Sequence, residues 1–139
     1  MTVNAWPDAL GVTQVRFARP TDRLEEVTRF YVDGLGLNEL YRFENHAGYD
    51  GVMLGLPGAD YHLEFTSHAD GSPGDAPSND NLLVLYFSSE ARMYETVERL
   101  GEFGVEPVAT ENPYWAANGA IAFPDPDGWQ VVLVPRPVF

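Results

Sequence analysis

His62 and Glu64 set an imidazole two residues from a carboxylate, the pairing that general acid–base chemistry uses. If Tyr61 to Thr66 is a strand, its side chains alternate and these two point the same way. The stretch Val12 to Ala18 reads as another strand, with Gln14, Arg16 and Ala18 alternating with Val15 and Phe17. Arg16 would bind a substrate carboxylate while Glu64 or His62 moves a proton. In the plainer reading Arg16 and Glu64 form a partly buried ion pair, helped by hydrogen bonds from Gln14, His62 and Asn81. Candidate catalytic residues are therefore Glu64 and His62, although a lone inward histidine is more often a satisfied polar group. Candidate ligand-binding residues are Gln14, Arg16, Asn81, Tyr114, Trp115 and Gln130. Tyr114, Trp115 and Tyr49 suit a pocket mouth and stacking on a flat or cationic ligand; the alternative is that they cap the sheet or sit in a dimer interface.

Those residues need a scaffold, and an internal repeat supplies one. Gly51 to Phe65 (GVMLGLPGADYHLEF) recurs without gaps as Gly119 to Leu133 (GAIAFPDPDGWQVVL), so that His62 falls on Gln130 and Glu64 on Val132. Each copy is too small to bury a core alone, so residues 1–139 are read as one domain of two modules, about 12–67 and 80–134. The linker is His68 to Asn79, rich in Gly, Pro, Ser and Asp.

In the first module a capping box of Asp22 and Glu25 opens a helix carrying Leu24, Val27, Phe30 and Tyr31, which Gly34 ends. Strands are expected at Asn38 to Phe43, Gly51 to Leu56 and Tyr61 to Thr66, with a turn at Pro57 to Asp60. Glu44 to Tyr49 and Glu111 to Trp115 read as corresponding loops. The second module repeats the order. It has a strand at Asn81 to Phe87, a helix capped by Ser88 or Ser89 with Met93, Val97 and Leu100 on one face, and strands at Pro107 to Thr110, Gly119 to Phe123 and Trp129 to Val134. The fold class is α+β: two tandem βαβββ modules forming a curved mixed sheet around a central cavity, helices on the outer face. Alternation assigns Gln14, Arg16, His62, Glu64, Asn81, Leu83, Leu85, Gln130 and Val132 to the concave side. Val15, Phe17, Leu63, Phe65, Leu82, Val84, Val131 and Leu133 go to the helix side.

Composition excludes several function classes. The chain has 139 residues, no cysteine, no lysine and a formal charge of −13 from 21 acids against eight arginines. Thiol nucleophiles, thiolate metal sites and disulfides are ruled out. The acidic field repels phosphate backbones, so nucleic acid is not an expected partner, and it draws cationic ligands at long range. No apolar run approaches the roughly 20 residues of a membrane span, and no signal sequence is evident at the N-terminus. A cytoplasmic location is expected.

The βαβββ order twice over, with FYVDGLGL after the first helix and DPDGWQVVL in the last strand and the turn before it, resembles the vicinal oxygen chelate superfamily. That group includes glyoxalase I, extradiol dioxygenases and the bleomycin and fosfomycin resistance proteins. The resemblance implies metal ligands from the first and last strand of each module, which fall here on Gln14, Glu64, Asn81 and Val132. Val132 cannot coordinate and Asn81 is weak, so no cofactor is expected. A divalent metal, if held, would rest on Gln14, Glu64 and His62. The resemblance also implies a homodimer, with sites within a chain or across a swapped pair. Metal-free binding of a small organic molecule in the concave pocket is the leading expectation. The alternatives are a glyoxalase-like enzyme acting on a small carbonyl substrate through Glu64 and His62, and an interaction module with a vestigial pocket.

Overall fold

The computed structural model describes residues 10–55 and 61–138. The turn expected at Pro57 to Asp60 lies outside them. The first module comprises β1 (Val15–Pro20), α1 (Leu24–Arg29) continued by a π-helical turn (Phe30–Gly34), β2 (Asn38–His46), β3 (Tyr49–Gly55) and β4 (Tyr61–His68). The second has β5 (Leu82–Tyr86), α2 (Glu90–Glu102), a short α3 (Pro113–Ala117), β6 (Ile121–Pro124) and β7 (Gln130–Val134). The strands form two sheets of order β1-β4-β3-β2 and β5-β7-β6. In each, the first strand runs parallel to the last and the remaining pairs are antiparallel. This is the expected α+β class.

The repeat is incomplete in one place. The strand expected over Pro107 to Thr110 is reduced to a single bridge between Val108 and Ala122. Pro107 has no N–H to give a ladder, which confines pairing to one residue.

One apolar interior joins the modules. Val27, Phe30, Leu54, Leu63 and Phe65 from the first are buried in the same cluster as Met93, Leu100, Phe123, Val131 and Leu133 from the second. Arg99 of α2 ties the helices together, its Nε donating to the Gly34 carbonyl at 2.9 Å and its Nη2 to that of Leu35 at 2.8 Å. Those are carbonyls that a helix end leaves without partners. Each sheet thus turns one face to the shared interior and the other away from it. No helix among the described residues is long and apolar enough to cross a membrane.

Three local expectations are corrected. The capping box does not form: the Thr21 hydroxyl accepts from the Arg23 N–H at 2.9 Å, Asp22 is taken by the Ser72 N–H of the linker, and Glu25 pairs with Arg42 at 2.8 Å. A carboxylate facing a linker amide in a half-buried setting gains more than at a solvated helix end. The loop expected at Glu44 to Tyr49 is a tight β2–β3 hairpin, turned by Ala47 and Gly48 at positive φ. The loop expected at Glu111 to Trp115 forms α3, capped by the Asn112 side chain. The cap expected for α2 is present, since Ser89 Oγ accepts from the Arg92 N–H at 3.2 Å.

Candidate functional site

Strand pairing brings three of the candidate residues together on the outward face of the first sheet. Arg16 lies opposite His62, and Glu64 opposite both Ala18 and Met53, so one face carries all of them. Arg16 Nε donates to His62 Nε2 at 2.8 Å, and Arg16 Nη1 lies 3.6 Å from Glu64 Oε2. His62 Nε2 is thus the acceptor that orients the guanidinium. The Arg16 side chain remains 43% exposed while Glu64 is 13% exposed, so the cation faces solvent and its carboxylate partner sits beneath.

Aromatic side chains extend this face across the sheet. Tyr41 pairs with Met53 and Phe43 with Gly51, in the same alternation as Glu64. Gly51 is required by that packing: a Cβ there would lie 2.3 Å from Phe43 Cζ. At the hairpin end the Tyr49 and His68 rings meet edge to face at 4.6 Å. A braced cation on one sheet face with aromatic side chains can hold a flat molecule by stacking and its polar end by charge-assisted hydrogen bonds.

The other candidates lie elsewhere. Gln14 precedes β1, because the strand runs from Val15 to Pro20, and is exposed. Asn81 precedes β5, and its Oδ1 accepts from the Ser78 hydroxyl at 2.6 Å. The β5 assignments are reversed. Leu82 and Val84 pair with Gln130 and Val132, whereas Leu83 and Leu85 pair with Val131 and Leu133 and pack into the shared interior. Val132 belongs to a separate apolar cluster with Leu82, Val84 and Trp115, so Trp115 covers the second sheet's outward face. Tyr114 is 57% exposed on α3, edge to face with Trp115 at 5.2 Å. Phe17 has the expected parity, yet it is 64% exposed because β1 is an edge strand.

A buried ionic cluster between the modules has no counterpart in the sequence reading. Arg19, three residues beyond Arg16 and on the opposite face of β1, donates to Asp125 Oδ2 at 2.5 Å and Asp127 Oδ2 at 2.8 Å. The Tyr31 hydroxyl donates to Asp125 Oδ2 at 2.8 Å, and Arg23 reaches Asp127 Oδ1 at 3.0 Å. Asp125 Oδ1 also accepts the N–H groups of Asp127 and Trp129, which closes the DPDG turn on itself. Burial and the adjacent Asp125 carboxylate push the Tyr31 phenol well above its ordinary value. For Asp127, burial acts upward, but the Thr21 hydroxyl, Arg19 and Arg23 prevail and hold its carboxyl below the usual range. Arg19 also lies over the Phe65 and Trp129 rings, 4.8 and 5.1 Å from their centroids. The signal in the sequence was an acidic turn between two strands in a chain with few cations.

A metal ion, which the superfamily implies, does not fit the residues at the four corresponding positions. Gln14 is off the sheet, Asn81 is bonded to Ser78, Val132 is fully buried among apolar groups, and Glu64 faces the Arg16 guanidinium. That guanidinium stands where His62 and Glu64 would offer their lone pairs. No group of three or more His, Asp or Glu suited to a metal occurs among the described residues.

Paired βαβββ modules define a chain of the vicinal oxygen chelate superfamily, whose fold it shares with glyoxalase I of Leishmania major and the fosfomycin resistance protein FosX of Mesorhizobium loti. Within it, the models of the YycE-like N-terminal domain and the YycE-like C-terminal domain match residues 15–66 and 80–135, and the chain belongs to the YycE-like family. The uncharacterized protein YycE of Bacillus subtilis (strain 168) is 47% identical over 121 residues, covering 87% of this chain and 86% of that protein. A crystal structure of a YycE protein of unknown function from Bacillus subtilis, provisionally grouped with glyoxalase/fosfomycin resistance proteins, superposes with a TM-score of 0.85 at 43% identity, covering 91% and 92% of the two chains. TnmS3, an antibiotic binding protein from Streptomyces sp. CB03234, shares the fold at 23% identity and a TM-score of 0.64, covering 90% and 98%.

Proposed function

We propose that this protein binds a small organic molecule on the outward face of the first sheet, without a metal ion, and acts as a homodimer whose second copy covers that face. The observation that carries the reading is the Arg16 guanidinium, held by His62 and Glu64 yet still exposed, on the sheet face that also carries Tyr41, Phe43 and Tyr49. Arg16 takes a carboxylate or comparable acceptor on the ligand, and the aromatic side chains stack on its flat part. Glu64 offsets the arginine's charge when no ligand is bound. That the same fold serves an antibiotic binding protein is in keeping with this reading.

Thermal-shift screening against aromatic carboxylates, carboxylate-bearing antibiotics and amphiphilic metabolites, followed by calorimetry of the hits, tests the proposal. Arg16→Ala should weaken a hit by roughly tenfold or more, the scale of a lost charge-assisted hydrogen bond. Absence of any stabilising ligand, together with turnover of an epoxide, hemithioacetal or 2-oxo substrate that Glu64→Gln abolishes, would replace binding by enzymatic function. About one zinc, nickel, manganese or iron per purified chain would overturn the metal-free reading. A monomer by light scattering at all concentrations would remove the second copy.

A further inference from the structure

We infer that the seam between the two modules is a second ligand site, which takes a compact ring molecule that is largely apolar and carries one N–H or O–H donor. A cavity of about 400 Å³ lies there, walled by Tyr61, Leu63 and Phe65 of the first module and Leu82, Trp129 and Gln130 of the second. Arg16, His62 and Glu64 do not line it. Its size falls toward the lower end of the range of small-molecule pockets, and its wall is mostly apolar and aromatic, as such pockets are.

The ligand's donor is called for by Gln130. This side chain is only 6% exposed, and its Oε1 is buried with no hydrogen-bond partner among the described residues. The repeat explains why. Gln130 occupies the position that His62 holds in the first module, and there the neighbouring strand supplies Arg16 as donor. In the second module the same place on the neighbouring strand is Leu82, which has nothing to donate. Three other polar groups around the cavity are already engaged: Arg19 by Asp125 and Asp127, the Tyr31 hydroxyl by Asp125, and the Trp129 Nε1–H by the Gly74 carbonyl at 2.7 Å; the Tyr61 hydroxyl is only half-buried and is not shut away from water as Gln130 is. A buried acceptor left open costs free energy, which a donor on a ligand would offset once the Gln130 amide turns toward the cavity.

The walls are held in place before any ligand arrives. Arg19 is fixed by its two carboxylates and lies against both the Phe65 and Trp129 rings, and Trp129 is tied to the linker. Phe17 meets the Tyr61 ring edge to face at 6.2 Å and stands, exposed, at the rim. A preformed slot of this kind suits a fused bicyclic ring, with little ordering cost on binding.

The test uses indole, which has one N–H, and benzothiophene, a near-isostere without a donor, titrated into the whole protein and followed by two-dimensional amide NMR. Both should shift residues 61–65, 82–83 and 129–130, with indole bound roughly five- to tenfold more tightly, as one net hydrogen bond provides. Gln130→Leu should retain benzothiophene and bring the two affinities within about twofold of each other. Leu82→Trp, which fills the cavity from its wall, should abolish both, and Arg16→Ala should change neither, which separates this site from the outward face. The inference is overturned if neither probe binds, if the shifts fall on the outward face, or if the preference for indole persists in Gln130→Leu.

Discussion

Arg19 Nη2 lies 2.5 Å from Asp125 Oδ2, joining residues 106 apart and fastening β1 of the first module to the β6–β7 turn of the second. The Asp125 side chain is fully buried and the Arg19 side chain nearly so. The carboxylate accepts from Arg19, Tyr31 and two backbone N–H groups, which offset the cost of removing it from water.

Arg19→Met should destabilise the protein by about 3–5 kcal/mol, because it strands the buried Asp125 carboxylate without its cation and leaves Asp127 with Arg23 alone. Chemical denaturation measures this. An effect below about 1 kcal/mol, the size of an exposed pair, would show that the cluster does not join the modules.

Asp127 adds a pH dependence of definite sign. Its folded-state carboxyl titrates below the ordinary 3.8, so its contribution is complete above that value and is lost as the pH falls through the lower folded value. Denaturation at a series of pH values should find Asp127→Asn less stable than the wild type at neutral pH, with the gap closing under strongly acidic conditions. A gap that is constant with pH would contradict the assignment.

Gly74 lets the linker lie against β1. A Cβ there would sit 2.0 Å from the Pro20 carbonyl oxygen, a backbone atom that cannot swing aside. Gly74→Ala should therefore displace the linker, break the bond from Trp129 Nε1 and cost about 1–3 kcal/mol. Trp129 fluorescence should shift to the red as its indole gains access to water.

Glu64→Gln separates folding from function. The Arg16–Glu64 contact is long and its cation exposed, so losing it should change stability by no more than about 1 kcal/mol. Binding on the outward face should change far more. Thermal unfolding and calorimetry on the same preparation provide both readings.

The architecture was legible because the repeat and the alternation in β1 and β4 both survive in the residue pattern. Arg16, His62 and Glu64 could be placed on one face by counting in twos. In β5 that method failed. Its run of leucine, valine and tyrosine is apolar on both faces and contains no alternation, so only its pairing with Gln130 and Val132 fixes which leucines face inward. Gln14 was misplaced because β1 begins three residues later than the alternation suggested, at Val15 instead of Val12, and Asn81 because the polar residue ahead of an apolar run belongs to the turn. The partners of Arg19 were out of reach for another reason: they lie on the other module, and no local periodicity encodes a contact across the whole chain.

Arg16 and Arg19 leave β1 on opposite sides, one toward the proposed ligand face and the other into the clamp on the second module. A strand of six residues at the edge of its sheet thus presents both guanidinium groups, one on each side. Only the thickness of a single strand separates the proposed ligand face from the clamp, so any change that shifts the β1 backbone bears on both.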